Sequence, residues 1–513
     1  MSTFVRAAGV LLVLLLRSNL LTAQTAASPD SVLISILRGM SGSSLTLQSA
    51  IDNAVANAPS VRQAEAQLQS AEGSLRKEAG AFDPELFFSL NHLDQKLPTA
   101  TFFAGAPVLA TRQTTSRSGL RVKLPIGTQL ELSLNTTRLG TNSTFAFLNP
   151  EHNAYGSLSL RQPLLGGLWV SGRKDLTRKE FEFESRKARS DQQLIAVKSE
   201  AERMYWDLYA AQRDFAVQKL TRDRAQAFLR EAELRAKTGL VGPNQVANAK
   251  TFLAQQELLL IEREEYLDRQ SDQLASLMGS RPPAGRYIPS DEPPSDFPLE
   301  DADQLVQRAL SGNLDLRAAR GSIDAAKATA SAAGWEVLPR VDLVGSLGGS
   351  GLAGTNQPVI FGTDTLRISG GGSFGDALSQ VSRRRFPDWG IGIEVVVPIG
   401  LRSGLGERER TEAEVLAAEQ SYIELSRALE EQVRAAHREV LHGKSRIAAA
   451  VAGVEAAQEQ VRIGLIEFQH GRLTAFELVR LGEDFAVAQQ RYSGALVRTA
   501  KAAATLRQLT SGG

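Results

Sequence analysis

The chain has 513 residues, 43 of them glycine and none cysteine, with 6% aromatic residues and a formal net charge of +1. Without cysteine there are no disulfides or thiolate metal sites, and without a dominant basic face nothing marks nucleic acid as a partner. The Ala/Glu/Arg/Leu/Gln-rich make-up points to long helices rather than to a compact enzyme.

The first segment reads as a leader. Arg6 precedes an apolar run from Ala7 to Leu16, and small residues follow around Ala23 and Ala27, which is the build of a secretory signal peptide over residues 1–23. So short a run cannot cross a hydrocarbon layer of about 30 Å, and Arg17 interrupts it, so it does not read as an anchor. No later stretch approaches a transmembrane helix. Membrane insertion would have to use β-strands.

In the mature chain, Ile51, Ala54, Val55, Ala58, Val61, Ala64, Leu68, Ala71 and Leu75 recur at three- and four-residue spacing. They predict a helix over residues 46–80 that Pro59 kinks or divides. From Pro84 the period becomes two. Leu86, Phe88 and Leu90 alternate with Phe87, Ser89 and Asn91; Leu120, Val122 and Leu124 alternate with Arg121 and Lys123. After a PIGTQ turn, Leu130, Leu132 and Leu134 alternate with Glu131, Ser133 and Asn135, and Leu158 and Leu160 lead to Pro163. Such strands suit a barrel with lipid outside and water within, and equally a half-buried soluble sheet.

Helical spacing then resumes. Leu194, Val197, Ala201, Met204, Leu208, Ala211 and Phe215 form a coiled-coil seam in a helix predicted over residues 173–238, about 100 Å long at 1.5 Å per residue. Gly239 is placed to end that helix, and Pro243 to open the return helix over residues 244–278. Residues 280–299 are Pro-rich and read as a linker.

Beyond the linker the chain repeats itself. At an offset of 255, Ala54 matches Ala309, Val61 matches Leu316, Arg62 matches Arg317 and Pro84 matches Pro339. A strand begins at Val341, a Gly/Ser-rich loop is predicted over 345–385, and Ile391, Ile393, Val395 and Val397 form another strand. A second long helix over 404–469 runs into Gly471, and a last helix follows from residue 475 to about 509. Two repeats result, 45–279 and 300–510.

The duplicated order of helix, strands, long helix, glycine turn and helix resembles the TolC-like outer membrane efflux protein family of Gram-negative bacteria. The resemblance is carried by LTLQSAIDNAVANAPSVRQAEAQLQSAEGSL and LEDADQLVQRALSGNLDLRAARGSIDAAKA, and by the tips AKTGLVGPNQVANAK and FQHGRLTAFELVRL. It implies a mainly α fold with β: long coiled-coil hairpins forming a periplasmic α-barrel, capped by a transmembrane β-barrel that trimerisation completes. The implied homotrimer has twelve barrel strands in the outer membrane, twelve tunnel helices in the periplasm, and a gate at the tip. The implied activity is that of a passive exit duct for a tripartite efflux or type I secretion system. Its partners would be outer membrane lipid, a periplasmic adaptor and an inner membrane transporter of the RND, ABC or MFS class. The chain departs from the family pattern in residues 114–138, which add two strand-like runs. It also lacks the lipidated N-terminal cysteine of some members, so no lipid anchor is expected.

The family places acidic gate residues six and nine positions past the second tip glycine, which here are Glu477 and Arg480. Glu477 also completes a capping box with Thr474. The first-repeat equivalents, Gln245 and Asn248, are uncharged. The tips themselves, Gly239, Leu240 and Val241 with Gly471, Arg472 and Leu473, are the expected adaptor contacts. No catalytic, cofactor or metal site is expected: the five histidines form no HExxH pair, and HGKS at residues 442–445 has Arg438 where a phosphate loop needs its first glycine. The alternative reading is a non-conducting periplasmic coiled-coil adaptor or scaffold.

Overall fold

The computed structural model describes residues 31–239, 241–361, 364–367, 371–470 and 472–511. The expected signal peptide, Leu240 and Gly471 lie outside them. The described chain divides into two compact units: residues up to Ala64 with Ser190–Leu314 and Ser426 onward, and Glu65–Arg189 with Asp315–Leu425. Two helices, α4 (Lys174–Lys237, 64 residues) and α9 (Arg402–Gln469, 68 residues), run unbroken from one unit into the other.

The first unit is a helical bundle. It contains α1 (Ser31–Arg38), α2 (Leu47–Asn57), α5 (Pro243–Met278), α6 (Ala302–Gly312), α10 (Ala475–Thr510) and the larger parts of α4 and α9. Its core is built from the seam of α4, where Val197, Ala201, Tyr205 and Leu208 are fully enclosed, against Leu267, Leu274 and Met278 of α5 and Ala50 and Ala54 of α2. Small residues set the closest approach. A Cβ on Gly443 of α9 would stand 2.4 Å from the hydroxyl of Thr499 on α10, so the glycine of HGKS is a helix-packing residue rather than part of a phosphate loop.

Both repeats break their first helix at the same place. In the first, Ala58 sits at φ −58, ψ 125 and Pro59 opens α3 (Pro59–Ala79). The proline forbids a helical residue before it and needs no N–H in the first turn. In the second, Asn313 takes φ −62, ψ 129 between α6 and α7 (Leu314–Glu336) with no proline at all. Its side-chain amide donates to the Leu509 carbonyl at 3.4 Å, and its own N–H ends α6 on the Ala309 carbonyl. Local stereochemistry breaks one helix and a tertiary contact accompanies the break in the other.

The Pro-rich stretch is tied into the bundle. Within it, β6 (Tyr287–Pro289) pairs in parallel with β1 (Ser43–Leu45). The buried Tyr205 hydroxyl holds this pair: it lies 2.9 Å from the Leu45 carbonyl and 3.1 Å from Asp291 Oδ2, and accepts from the N–H groups of Ser290 and Asp291. Asp291 in turn accepts from the Leu47 N–H at the start of α2. Burial pushes the Tyr205 phenol up to about 12.

The second unit carries one six-stranded sheet. Its strands are β2 (Glu85–Pro98), β3 (Val108–Lys123), β4 (Gln129–Thr141), β5 (Leu148–Leu165), β7 (Arg340–Asn356) and β10 (Phe386–Val396), in the order β10-β7-β5-β4-β3-β2, with every neighbour antiparallel. The run at 114–138 is therefore a hairpin inside this sheet, between β2 and β5. The expected loop over 345–385 is also corrected. Its first residues complete β7, a short hairpin follows as β8 (Val359–Phe361) and β9 (Asp364–Leu366), and α8 (Phe374–Ser382) lies back on the sheet. The glycines are what seat that helix. A Cβ on Gly351 would come within 2.0 Å of the Ala377 carbonyl oxygen.

Tyr205→Phe removes the hydroxyl shared by Leu45, Ser290 and Asp291 and leaves the Asp291 N–H without its partner. The expected cost is about 1–3 kcal/mol. Hydrogen exchange should rise roughly 5- to 150-fold at residues 43–50 and 287–291 and stay unchanged in α9. Unchanged exchange at β1 would show that the strand pair stands without the hydroxyl.

Candidate functional site

The sheet has two unlike faces, and alternation dictates both. Directly paired residues share a face, so Leu86, Leu120, Leu132, Leu158, Leu347 and Trp389 form one row across all six strands. Each is between 43% and 85% exposed. Phe88, Leu134, Ile391, Ile393 and Val395 extend this apolar face along the strands. Among the described residues no helix is long and apolar enough to cross a membrane.

The opposite face is charged. Arg121 meets Glu85 at 2.6 Å, Arg117 meets Glu131 at 2.7 Å, and Arg161 reaches Asp342 and Glu394, both at 2.7 Å. Arg340 adds a second cation to Asp342 at 3.4 Å. Exposed pairs such as Arg121–Glu85 add little stability, so their weight lies in making this face hydrophilic. The alternation in the sequence assigns each of these residues to the polar side. It cannot show that Arg161 and Asp342, 181 residues apart, are neighbours, because strand order is a tertiary fact.

The helical bundle carries the two tips. Gly239 takes the left-handed φ of +74 that ends α4, with its N–H on the Ala236 carbonyl, and a side chain there would meet no obstacle. The glycine serves backbone conformation, not space. Pro243 opens α5 after Gly242. At the second tip the Arg472 N–H returns to the Glu467 carbonyl at 2.9 Å, the six-to-one bond of a helix C-cap. Val241 and Leu473 are half-buried and Arg472 is exposed. The two hairpins touch through Arg235, whose guanidinium lies 4.5 Å from the centre of the Phe468 ring. Between them is a cleft of about 520 Å³ lined by Phe228, Phe252, Leu465, Phe468 and Leu478, with Arg224 and Glu231.

Glu477 forms the capping box in full. Its Oε2 accepts from the Thr474 N–H at 2.8 Å and the Thr474 hydroxyl at 2.7 Å, while the Glu477 N–H donates to Thr474 Oγ1 at 3.2 Å. The Thr474 N–H, with the hydroxyl beside it, holds this carboxyl below the usual carboxylate range. No ion pair joins it to Arg480 among the described residues. Arg480 instead acts on Glu483, whose carboxyl burial raises and Arg480 partly restores. Gln245 and Asn248 are exposed near the start of α5 and make no side-chain hydrogen bond among the described residues. Among the described residues no grouping of His, Asp and Glu could hold a metal ion.

A depressed carboxyl contributes stability that is complete above its unfolded pKa, about 4.3, and is lost as pH falls through the lower folded value. Protection of the first amides of α10, corrected for intrinsic exchange, should therefore decline below about pH 4. Glu477→Gln should remove that pH dependence. A dependence that persists in the variant would place the titrating group elsewhere.

Residues 305–512 match the model of a family described as outer membrane efflux protein. No curated protein matches the chain in sequence. Among solved structures, the outer-membrane channel OprN is 18% identical, with 94% of this chain and 92% of that one covered at a TM-score of 0.65. The outer membrane protein VceC of Vibrio cholerae is 17% identical, covering 91% and 96% at 0.63. The MtrE outer membrane channel of Neisseria gonorrhoeae, solved in its open state, is 15% identical, covering 91% and 89% at 0.61. Residues 305–512 are thus similar to the outer membrane efflux protein family, on a chain whose fold is that of outer-membrane channels.

Proposed function

We propose that this protein is the outer membrane exit duct of an efflux or secretion assembly. It works as a homotrimer and conducts substrates delivered by an inner membrane transporter through a periplasmic adaptor. The observation that carries the reading is the sheet with one exposed apolar face and one charged face. A soluble scaffold would gain nothing from a row of exposed leucines across six strands, whereas a barrel wall needs lipid on one side and water on the other. The duct is passive. It has no nucleotide or metal chemistry in this reading, so the driving force comes from the transporter.

In the same reading the tips meet the adaptor through Gly239, Leu240, Val241, Gly471, Arg472 and Leu473. Three copies of Glu477 ring the narrow end, with Arg480 one turn further on and Gln245 and Asn248 as uncharged counterparts. Capping and constriction are compatible because the cap uses Oε2 of Glu477, and among the described residues Oε1 takes no hydrogen bond. An anionic ring of this kind favours cations.

Two measurements on the mature, detergent-solubilised protein test this. The mass should be that of a trimer, and the protein should open a cation-selective channel in a planar bilayer. Glu477→Ala with Arg480→Ala should raise single-channel conductance and weaken cation preference. A silent oligomer or a monomer would favour the non-conducting scaffold. A conducting trimer whose conductance and selectivity ignore both substitutions would leave Glu477 as a cap alone.

A further inference from the structure

We propose that three copies of this chain close an eighteen-stranded barrel, each joining its β2 edge to the β10 edge of the next, in place of the twelve strands that the family resemblance implies. This rests on the trimeric duct proposed above. The deciding feature is the hairpin β3–β4. It pairs along its whole length, from Glu85↔Arg121 to Pro98↔Val108 against β2 and from Gln129↔Arg161 to Leu139↔Glu151 against β5. It also shares both faces of the wall: Leu120, Val122, Leu130, Leu132 and Leu134 continue the apolar face, and Arg117, Arg121 and Glu131 the charged one. A hairpin standing in water above the membrane would have no use for that alternation.

The edges call for closure by other copies. β2 has 14 residues and β10 has 11, and among the described residues neither pairs on its outer side. Over residues 86–90 of β2 and 391–395 of β10 the apolar side of each edge carries no charge or proline, the usual edge-blunting residues; Asp94, Lys96 and Pro98 of β2 and Pro387 of β10 lie beyond that band. In hydrocarbon an unpaired edge costs several kcal/mol per exposed backbone group, so both edges must find partners. One copy cannot close on itself, since a barrel needs about eight strands to hold its side chains. Because six is even and every neighbour is antiparallel, β2 and β10 run in opposite directions, and the junction between copies is antiparallel like the rest. Diameter scales with strand number, so the barrel is about half again as wide as a twelve-stranded one, with roughly twice the cross-section. Its lumen carries three copies of the Arg117–Glu131 and Arg121–Glu85 pairs.

The absence of native cysteine makes the wall directly testable by disulfide formation in purified outer membranes. L132C/L158C, on directly paired residues of β4 and β5, should link within one chain, whereas L86C/L158C, three strands apart, should not. I391C combined in turn with L86C, F88C, L90C and H92C should give, at one register, a ladder ending at three chains. A cryo-EM map of the wild-type protein should show eighteen strands. Linkage of L86C/L158C instead of L132C/L158C, or a map with twelve strands, would overturn this inference and leave the trimeric duct standing. A ladder ending at any number other than three would overturn the trimer itself.

Discussion

In a bilayer every backbone N–H and C=O must be paired inside the protein, and in the proposed duct the architecture of the sheet answers that constraint. Among the described residues no apolar helix is long enough to span, so the proposed duct has only strands to offer. Strands must then continue until no edge is left. The alternation of leucines with arginines, glutamates and serines from β2 to β10 is the side-chain counterpart in the proposed duct, where one face meets lipid while the other meets water. Even the ion pairs of the charged face fit this account. They lie in half-exposed positions where they are worth little as bonds and much as solvated surface.

The helical bundle obeys a different rule, close packing of small residues. Alanine is the most frequent buried residue of α2, α4 and α10, and Gly443 lets α9 approach Thr499 where even a methyl group would collide. Long helices packed this way have little area per residue to bury, so polar clasps complete the job. The Tyr205 hydroxyl gathers Leu45, Ser290 and Asp291 at one point, and Asp291 passes the connection on to the first turn of α2. One buried phenol thus holds the chain leading into the first repeat against the Pro-rich stretch that follows it.

Much of this was legible in the sequence because it depends on local chemistry. Pro59 divides its helix as proline must, the switch from three- and four-residue spacing to alternation marks each strand start, and Thr474 caps α10 with Glu477. What was not legible depends on partners distant along the chain. The break at Asn313 has only the weak local signal of Gly312 and Asn313, without a proline, and comes with a contact to Leu509. The glycines of 345–356 resemble a loop until α8 is laid on them, when Gly351 proves to be the only kind of residue that fits beneath Ala377. Strand order was invisible for the same reason. Alternation says which face a residue takes, but not which strand stands beside it.

At the second tip, capping also fixes a charge. A carboxylate that is to act as a fixed charge must stay ionised, and burial works against this: it pushes Asp214 in the bundle up to about 6 and raises Glu483 two turns beyond the tip. Glu477 escapes because the N–H and hydroxyl of Thr474 bind its anion, holding its pKa down while the side chain remains exposed. The hydrogen bonds that fix the helix start therefore also fix the position and the charge of the carboxylate. A residue can hold a helix end and a permanent charge at once, and the first reinforces the second.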